Sequence, residues 1–415
     1  MHCLLCAPVI LALFCGSCAS VEVRNVPQTP AVQEQQSQPA KQPTAQGAKP
    51  TEDGSGFGVF EVPVNPKGLG NDPFDAIDDA VSIEERPSGG ELFAAPVPFR
   101  SPQLGWGLVG IGGYIFRFDP EEKEGPPSTV AIGGFYTENG SWMGFGGGRL
   151  HLDGDRWRIK FGGGYADIRY DFYGVGTGAG NEDSSLPFQT QASGFLVEPM
   201  MRIAPHWYLG PSYKHSNSET EIRSNVTVPP ELKPDQFNAT TAALGIAIEQ
   251  DSRDDTFYPE AGSWLQAKLS FYDDVFGSDF DYRKLESSFA SYHKLGEPDV
   301  LAWQVIWEDS GDAPFYDLSV HDFRGYIPGR YQDRIRLAGE VEYRRHLFWR
   351  IAGVAFAGLG QVTPSYSDFH ADNLLPSVGL GIRFRLTEKN SMNYRIDIGW
   401  GRNGVQFYFA IGEAF

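Results

Sequence analysis

The sequence has no cysteine after residue 18 and no long apolar run beyond its N-terminus. Its four cysteines are Cys3, Cys6, Cys15 and Cys18, so a mature chain cut near residue 20 could hold neither a disulfide framework nor a cysteine-based metal site. No later stretch reaches the ~18 consecutive apolar residues that a membrane-spanning helix needs. Crossing by helices is therefore excluded there. Crossing by strands stays open, because their hydropathy signal is weak.

Positive charge is also scarce. The 34 Lys and Arg residues face 53 Asp and Glu residues, which gives a net charge of −19. Nucleic-acid binding needs clustered cations, so this class of partner is excluded. The sequence has no G-x-S-x-G elbow, H-E-x-x-H pair, P-loop or EF-hand pattern, and its histidines are scattered. We therefore expect no enzymatic activity, no metal site and no cofactor.

The composition of the first 90 residues is not that of a folded domain or of a β-sheet. Residues 1–20 have an apolar centre followed by small residues, which predicts a secretory signal peptide, with lipid attachment at Cys18 as the alternative. Residues 21–90 are rich in Gln, Pro, Ala and Gly. This composition predicts a disordered or loosely ordered tether, which would lie in the periplasm.

From residue 91 to residue 415 the sequence alternates between apolar and polar side chains. In one segment five charged residues oppose four apolar ones: Arg334, Arg336, Glu340, Glu342 and Arg344 against Ile335, Leu337, Val341 and Tyr343. Repeated around the chain, this pattern is typical of a transmembrane antiparallel β-barrel with a polar interior, the alternative being a soluble β-sandwich. Counting back from the C-terminus gives about 16 strands in an all-β fold.

The last predicted strand, 405–415, alternates most clearly. One face carries the aromatic and aliphatic residues Phe407, Phe409, Ile411 and Phe415, with Glu413 as the only misfit. A strand of this kind faces lipid on one side. We interpret it as a C-terminal assembly signal, through which the cell's assembly machinery would bind the barrel.

One predicted loop, 310–333, contains the unusual sequence Phe323-Arg324-Gly325-Tyr326. Glycine and proline around it indicate a turn, yet the bulky aromatic residues are poorly suited to a solvated one. The loop could therefore expose Arg324 to water or carry it into the barrel.

These residues resemble the BamA/TamA-type outer-membrane assembly barrels, the bacterial surface antigen superfamily. Phe323–Tyr326 is similar to the (V/I)RG(F/Y) motif of that family. The hairpin motif Asp251, Arg253, Asp254, Pro259 and Gly262 is similar to the family's D-x-R-D…F-P-x-x-G. Residues 98–107 are similar to a P-x-x-S-P-E-T-G opening, with Gln103 and Leu104 in place of the usual acid and Thr. The resemblance covers residues 91–415.

The resemblance implies that the loop folds inward and that Arg324 contacts acidic groups on the barrel wall. Glu340 and Glu342 are the candidate partners, since they lie on the charged face of the following strand. Family members often carry an acid in an F-x-D-x-G stretch one strand further on. Here Gly358 occupies that position, so the usual Arg–Asp pair is in doubt and more weight falls on Glu340 and Glu342.

The resemblance also implies a role in protein assembly or translocation. In such a barrel the first and last strands pair weakly, open sideways and template an incoming strand. Pro96 and Pro98 favour a short seam, because proline donates no ladder hydrogen bond. The expected partners are membrane lipid and client outer-membrane or secreted proteins. Residues 21–90 lack the pattern of POTRA modules, so the alternative is a passive pore or structural barrel with no insertase activity.

Overall fold

The computed structural model describes residues 91–101, 103–119, 127–223, 232–255, 258–385 and 393–415. The predicted signal peptide (1–20) and tether (21–90) lie outside these ranges. Within them, no helix is long and apolar enough to cross a membrane.

Sixteen strands form a single antiparallel sheet, in which each strand pairs with its neighbours along the chain. Their bounds are β1 (Glu91–Ser101), β2 (Gly105–Phe116), β3 (Ser128–Thr137), β4 (Trp142–Leu152), β5 (Trp157–Phe172), β6 (Leu186–Ala204), β7 (Trp207–Ile222), β8 (Asn238–Asp251), β9 (Gly262–Tyr272), β10 (Tyr282–Gly296), β11 (Asp299–Asp309), β14 (Ile335–Phe348), β15 (Ile351–Thr363), β16 (Leu375–Arg385), β17 (Asn393–Gly401) and β18 (Gly404–Ile411). The short strands β12 (Ser319–His321) and β13 (Tyr331–Asp333) pair separately.

The alternation predicted from the sequence separates two environments. Val378, Leu380 and Ile382 on β16 point outward and are between 54% and 60% exposed. Arg383 on the same strand points inward and is fully buried. An apolar outer surface around a charged interior is the pattern of a membrane β-barrel, so the predicted fold class is confirmed.

The two terminal strands lie next to each other. Cα atoms of β1 and β18 approach within 8 Å, which brings the sheet around into a barrel. Among the described residues, however, no backbone ladder joins these two strands. We call this boundary the seam. We call the end of the barrel where β1 begins and β18 ends the terminal end, and the opposite end the loop end.

Three local elements differ from the prediction. The last strand ends at Ile411 rather than at residue 415, because the chain turns at Gly412, where φ is 86°. The loop between β11 and β14, residues 310–334, contains the hairpin β12–β13. A helix of six residues, α1 (Gly176–Asn181), lies in the loop between β5 and β6.

Aromatic side chains fill part of the interior at the loop end. Phe172 stacks on Phe188 with ring centroids 5.0 Å apart, and Phe315 packs edge-on against Phe172 at 5.5 Å. Phe99 on β1 and Phe135 on β3 extend this packing along the wall, with centroids 5.7 Å apart. We call these five residues the aromatic cluster. It occupies space that would be water-filled in an open pore.

Candidate functional site: the lumen loop and its ion network

The loop between β11 and β14 folds into the barrel, and we call it the lumen loop. Ser319 pairs with Asp333 and His321 with Tyr331, so the β12–β13 ladder carries the chain inward to the turn that bears the motif. Phe323 and Arg324 are 4% exposed, and Tyr326 is fully buried. The alternative of an exposed turn with a solvated Arg324 is therefore wrong.

The guanidinium of Arg324 lies among three carboxylates. Its Nη2 is 2.6 Å from Glu340 Oε1, and its Nη1 is 2.7 Å from Glu342 Oε2 and 3.0 Å from Asp397 Oδ2. The Phe356 ring lies beneath the guanidinium, with the ring centroid 3.6 Å from Arg324 Cζ. Arginine suits this position because its planar fork donates in several directions at once. Both partners expected from the sequence are present, together with a third.

Two further arginines extend the cluster towards the terminal end. Arg344 Nε lies 2.6 Å from Glu342 Oε1, and Arg383 Nη1 lies 2.6 Å from Asp397 Oδ1. Arg383 Nε is also 2.6 Å from Glu413 Oε2. We call this set of three guanidinium groups and four carboxylates the ion network: Arg324, Arg344, Arg383, Glu340, Glu342, Asp397 and Glu413. Buried charges of this kind are stable only when each is paired and hydrogen-bonded.

Asp397 on β17 is the partner that sequence reasoning missed. Gly358 on β15 replaces the acid of the family pattern. The absence of a side chain there leaves room for the Phe323 ring. A Cβ atom at Gly358 would lie 3.0 Å from the Phe323 ring and 2.8 Å from Ser377 Oγ. The bare backbone thus admits the Phe323 side chain, and the aspartate comes from two strands away. Asp397 alternates with the apolar residues Ile396 and Ile398, which predicts an inward position, but alternation cannot give the register that brings it to Arg324.

Gly325 joins the motif to the last two strands. Its N–H donates to Tyr408 Oη at 2.6 Å, and the Tyr408 hydroxyl donates to the Tyr326 carbonyl at 2.9 Å. Gly325 has a φ of 109°, and a Cβ there would lie about 3.0 Å from backbone atoms of β17. Gly399 and Gly401 on β17 leave the matching space, since a Cβ on either would meet the Gly325 backbone. The lumen loop therefore packs against and hydrogen-bonds to the β17–β18 hairpin, beside the seam.

The predicted hairpin motif forms the turn between β8 and β9. Asp251 Oδ2 pairs with Arg253 Nη2 at 2.8 Å. Asp254 Oδ1 accepts hydrogen bonds from two backbone amides of the same turn. Gly262 has a φ of 99°, and a Cβ there would collide with the Ser252 carbonyl oxygen. These contacts join the described parts of the β8–β9 connection at the terminal end of the barrel.

That turn also reaches the ion network. The Pro259 carbonyl accepts a hydrogen bond from Arg344 Nη1 at 3.3 Å. Arg344 Nη2 donates to the main-chain oxygen of Phe415 at 3.1 Å, and the Phe415 ring lies 6.4 Å from that of Tyr292. Phe415 therefore packs inside the barrel rather than on the outer face of the last strand. The prediction that it shares a face with Phe407 is wrong, because the turn at Gly412 redirects the chain.

The other residues of the predicted C-terminal signal lie on β18. Phe407 is 59% exposed on the outer face, and Phe409 is half-buried with its ring 5.7 Å from Tyr394. The side chain of Ile411 lies outside the described residues. Glu413 is no misfit, since it follows the turn and points at Arg383.

Fold and site together define an outer-membrane β-barrel with an internal loop that binds its own wall. Residues 148–415 match the family model of the Omp85 superfamily domain. The chain belongs to this superfamily, as the resemblance to BamA/TamA-type barrels implied. No curated protein matches the sequence.

Solved structures show the same architecture at low sequence identity. BamA from Haemophilus ducreyi lacking POTRA domains 1–3 is 12% identical with a TM-score of 0.52, over 78% of this chain and 70% of that one. CdiB from Escherichia coli is 10% identical with a TM-score of 0.52, over 78% of this chain and 62% of that one. CdiB from Acinetobacter baumannii is 10% identical with a TM-score of 0.50, and the chain spans 59% of its length. These likenesses show the fold alone.

Proposed function

We propose that this protein inserts or translocates client proteins through the seam between β1 and β18. The carrying observation is that these two strands lie side by side with no ladder between their described residues. An unpaired strand edge is a template for an incoming strand, since its backbone donors and acceptors need partners in lipid. The two edges can therefore capture a client strand by β-augmentation.

The two sides of the seam differ in ways that support this role. Pro96 is exposed on β1, and neither Pro96 nor Pro98 can donate a backbone hydrogen bond. Two backbone positions of β1 are thus without a donor for any ladder at its edges. On the other side, Gly325 and Tyr408 hold β18 from within the barrel. If β18 is held in place and β1 pairs weakly, the barrel can open sideways at the seam between them.

The alternative, a passive pore, receives less support. The lumen loop and the aromatic cluster occupy the interior from the loop end. The ring contacts of the aromatic cluster narrow the route that a hydrated ion could take through the barrel. A purely structural barrel would fit these contacts too, and the experiments below separate it from an assembly factor.

Site-specific photocrosslinking tests the seam directly. A photoreactive amino acid at Phe407, on the outer face of β18, should capture nascent outer-membrane or secreted proteins in living cells. The matched control is Leu269 on β9, which also faces outward and is 38% exposed but lies on another part of the wall. Protein adducts at Phe407 but not at Leu269 would support the proposal. Equal labelling at the two positions, or lipid adducts alone, would overturn it.

A second test is genetic. The outer-membrane proteome of a strain lacking this gene is compared with that of its parent. Loss of one or a few surface proteins would support the assembly role and identify the clients. An unchanged proteome would refute the proposal and leave the structural barrel.

A further inference from the structure

A cavity lies at the loop end of the barrel. Four loops line an open cavity of roughly 750 Å³, within the usual range of small-molecule sites. We call it the loop-end cavity, and its walls include Thr177, Gln236, Phe315, Asp333, Val362 and Asp368.

The polar walls of this cavity offer acceptors that lack a cationic partner. Asp333 is only 5% exposed, and its Oδ1 accepts one hydrogen bond, from the Arg334 backbone N–H at 2.8 Å. No ion pair of Asp333 occurs within the described ranges. The Arg334 guanidinium lies instead 3.4 Å from Asp312. Burial, together with the nearby charge of Asp368, raises the pKa of Asp333.

Gln236 presents a second acceptor to the same space. Its Oε1 is buried and accepts no hydrogen bond from any part of the chain that the structure describes. A buried carboxylate and a buried amide oxygen both require donors, and leaving them without donors costs free energy. A ligand that brings N–H donors and a positive charge would satisfy both.

The remaining walls restrict the ligand further. Phe315 and Val362 are 4% and 1% exposed and give the cavity an apolar side. The described residues contain no group of three or more side chains suited to a metal ion. Nearby, the loop 273–281 carries four aspartates and no Lys or Arg, which attracts cations to this end of the barrel.

We propose that the loop-end cavity binds a small organic ammonium ion. The ammonium group donates to Asp333 and to Gln236 Oε1, and the alkyl chain packs on Phe315 and Val362. Asp368 lines the same cavity, so a diamine can place its second charge beside it. This site is separate from the seam and does not depend on the function proposed above.

Calorimetric titration of the full chain in nanodiscs tests the site, with 1,5-diaminopentane as probe and 1,5-pentanediol as its neutral match. We expect one bound diamine per chain and no binding of the diol. Asp333→Asn should weaken diamine binding at least tenfold. Asp372→Asn makes the same charge change on an exposed residue outside the cavity walls, and it should leave binding unchanged.

A cavity-filling variant covers the case in which Asp333→Asn does not fold. Gly178 lines the cavity, and a Cβ there meets no atom within 4 Å, so Gly178→Leu should block the site without disturbing the barrel. A lysine-containing tetrapeptide as a second titrant distinguishes a peptide side chain from a free amine. Loss of binding in Gly178→Leu supports the proposal. Undiminished binding in the folded variants, or equal binding of the diol, overturns it.

Discussion

The backbone nitrogen of Gly325 lies 2.6 Å from the phenolic oxygen of Tyr408, which ties the lumen loop to the strand beside the seam. The contact is possible because Gly325 adopts a φ of 109° and because β17 presents glycines where it passes. The lumen loop is therefore joined to β18, the strand that borders the seam, through this hydrogen bond.

Gly325→Ala should loosen this contact. Its Cβ would lie about 3.0 Å from backbone atoms of β17, in addition to the strain of about 1–2 kcal/mol of a positive φ. Gly404→Ala is the matched control, since its φ is 107° and its Cβ would meet nothing within 4 Å. Urea unfolding in detergent, followed by tryptophan fluorescence, should show a greater loss of stability for Gly325→Ala. Equal losses would mean that the close approach to β17 contributes nothing.

Tyr408→Phe removes the hydroxyl that bridges Gly325 and Tyr326. Two buried backbone groups would then lack this partner, at a cost of about 1–3 kcal/mol each. Hydrogen-exchange mass spectrometry should show faster exchange in residues 323–327 of this variant. Tyr165→Phe removes a hydroxyl from an outward side chain that is 41% exposed, and it should leave that segment unchanged. Unaltered exchange in Tyr408→Phe would refute the link.

Arg324→Ala should be the most damaging single change in the ion network. Glu340, Glu342 and Asp397 would lose a shared cation while remaining buried, at a cost of about 3–5 kcal/mol. The stability of Arg324→Lys should lie between those of the unmodified protein and Arg324→Ala, because a lysine ammonium cannot reproduce the planar fork of the guanidinium.

The control for Arg324 is Arg156→Ala, whose side chain is 60% exposed and pairs with Asp153 at 3.6 Å. Surface pairs of this kind contribute about 1 kcal/mol or less. If the unfolding midpoints of Arg324→Ala and Arg156→Ala coincided, the ion network would have no role in holding the barrel together.

Asp317 in the lumen loop predicts an acid-sensitive step. Burial favours its neutral form, but Lys284, whose Nζ lies 2.6 Å away, together with Lys214 and the Tyr282 hydroxyl outweighs that effect and lowers the pKa of Asp317 to about 2. Because the pKa of Asp317 in the folded protein lies below its ordinary value of 3.8, this stabilisation is complete above about pH 4 and is lost as the pH falls to 2. The loss should be on the order of 2 kcal/mol.

Thermal unfolding between pH 5 and pH 2 measures this contribution. Asp317→Asn should flatten part of the pH dependence. Asp312→Asn alters an aspartate of the same loop that is 86% exposed, and it should not. Parallel pH profiles for Asp317→Asn and the unmodified protein would contradict the assignment.

The strands could be predicted closely because each has two environments, and alternation records them residue by residue. The β12–β13 hairpin could not, since three residues per strand are too few to show a period. The α1 helix has the sequence GTGAGN, whose glycines give no helical signal. The end of β18 was placed four residues too late because Phe415 continues the alternation even though Gly412 breaks the strand.

The ion network likewise contains residues that the sequence could predict and one that it could not. Glu340 and Glu342 could be predicted because they lie on the charged face of the strand that follows the motif. Asp397 could not, because its contact with Arg324 depends on the register of β17 against β16 and on how deeply the loop enters. Contacts between residues 73 positions apart leave no local pattern in the sequence.

The ion network draws its members from distant parts of the sequence, and we expect this to affect the order in which the barrel folds. Its members come from the lumen loop, β14, β16, β17 and Glu413, so Arg324 and Arg383 lack some of their carboxylate partners until β17 and Glu413 are in place. A barrel that lacks its last strands holds Arg383 without Glu413 and Arg324 without Asp397. Pulse-labelled hydrogen exchange should accordingly find residues 322–330 protected last. Arg324 and Arg383 thus join the lumen loop, β14, β16, β17 and the segment after Gly412 into one set of contacts.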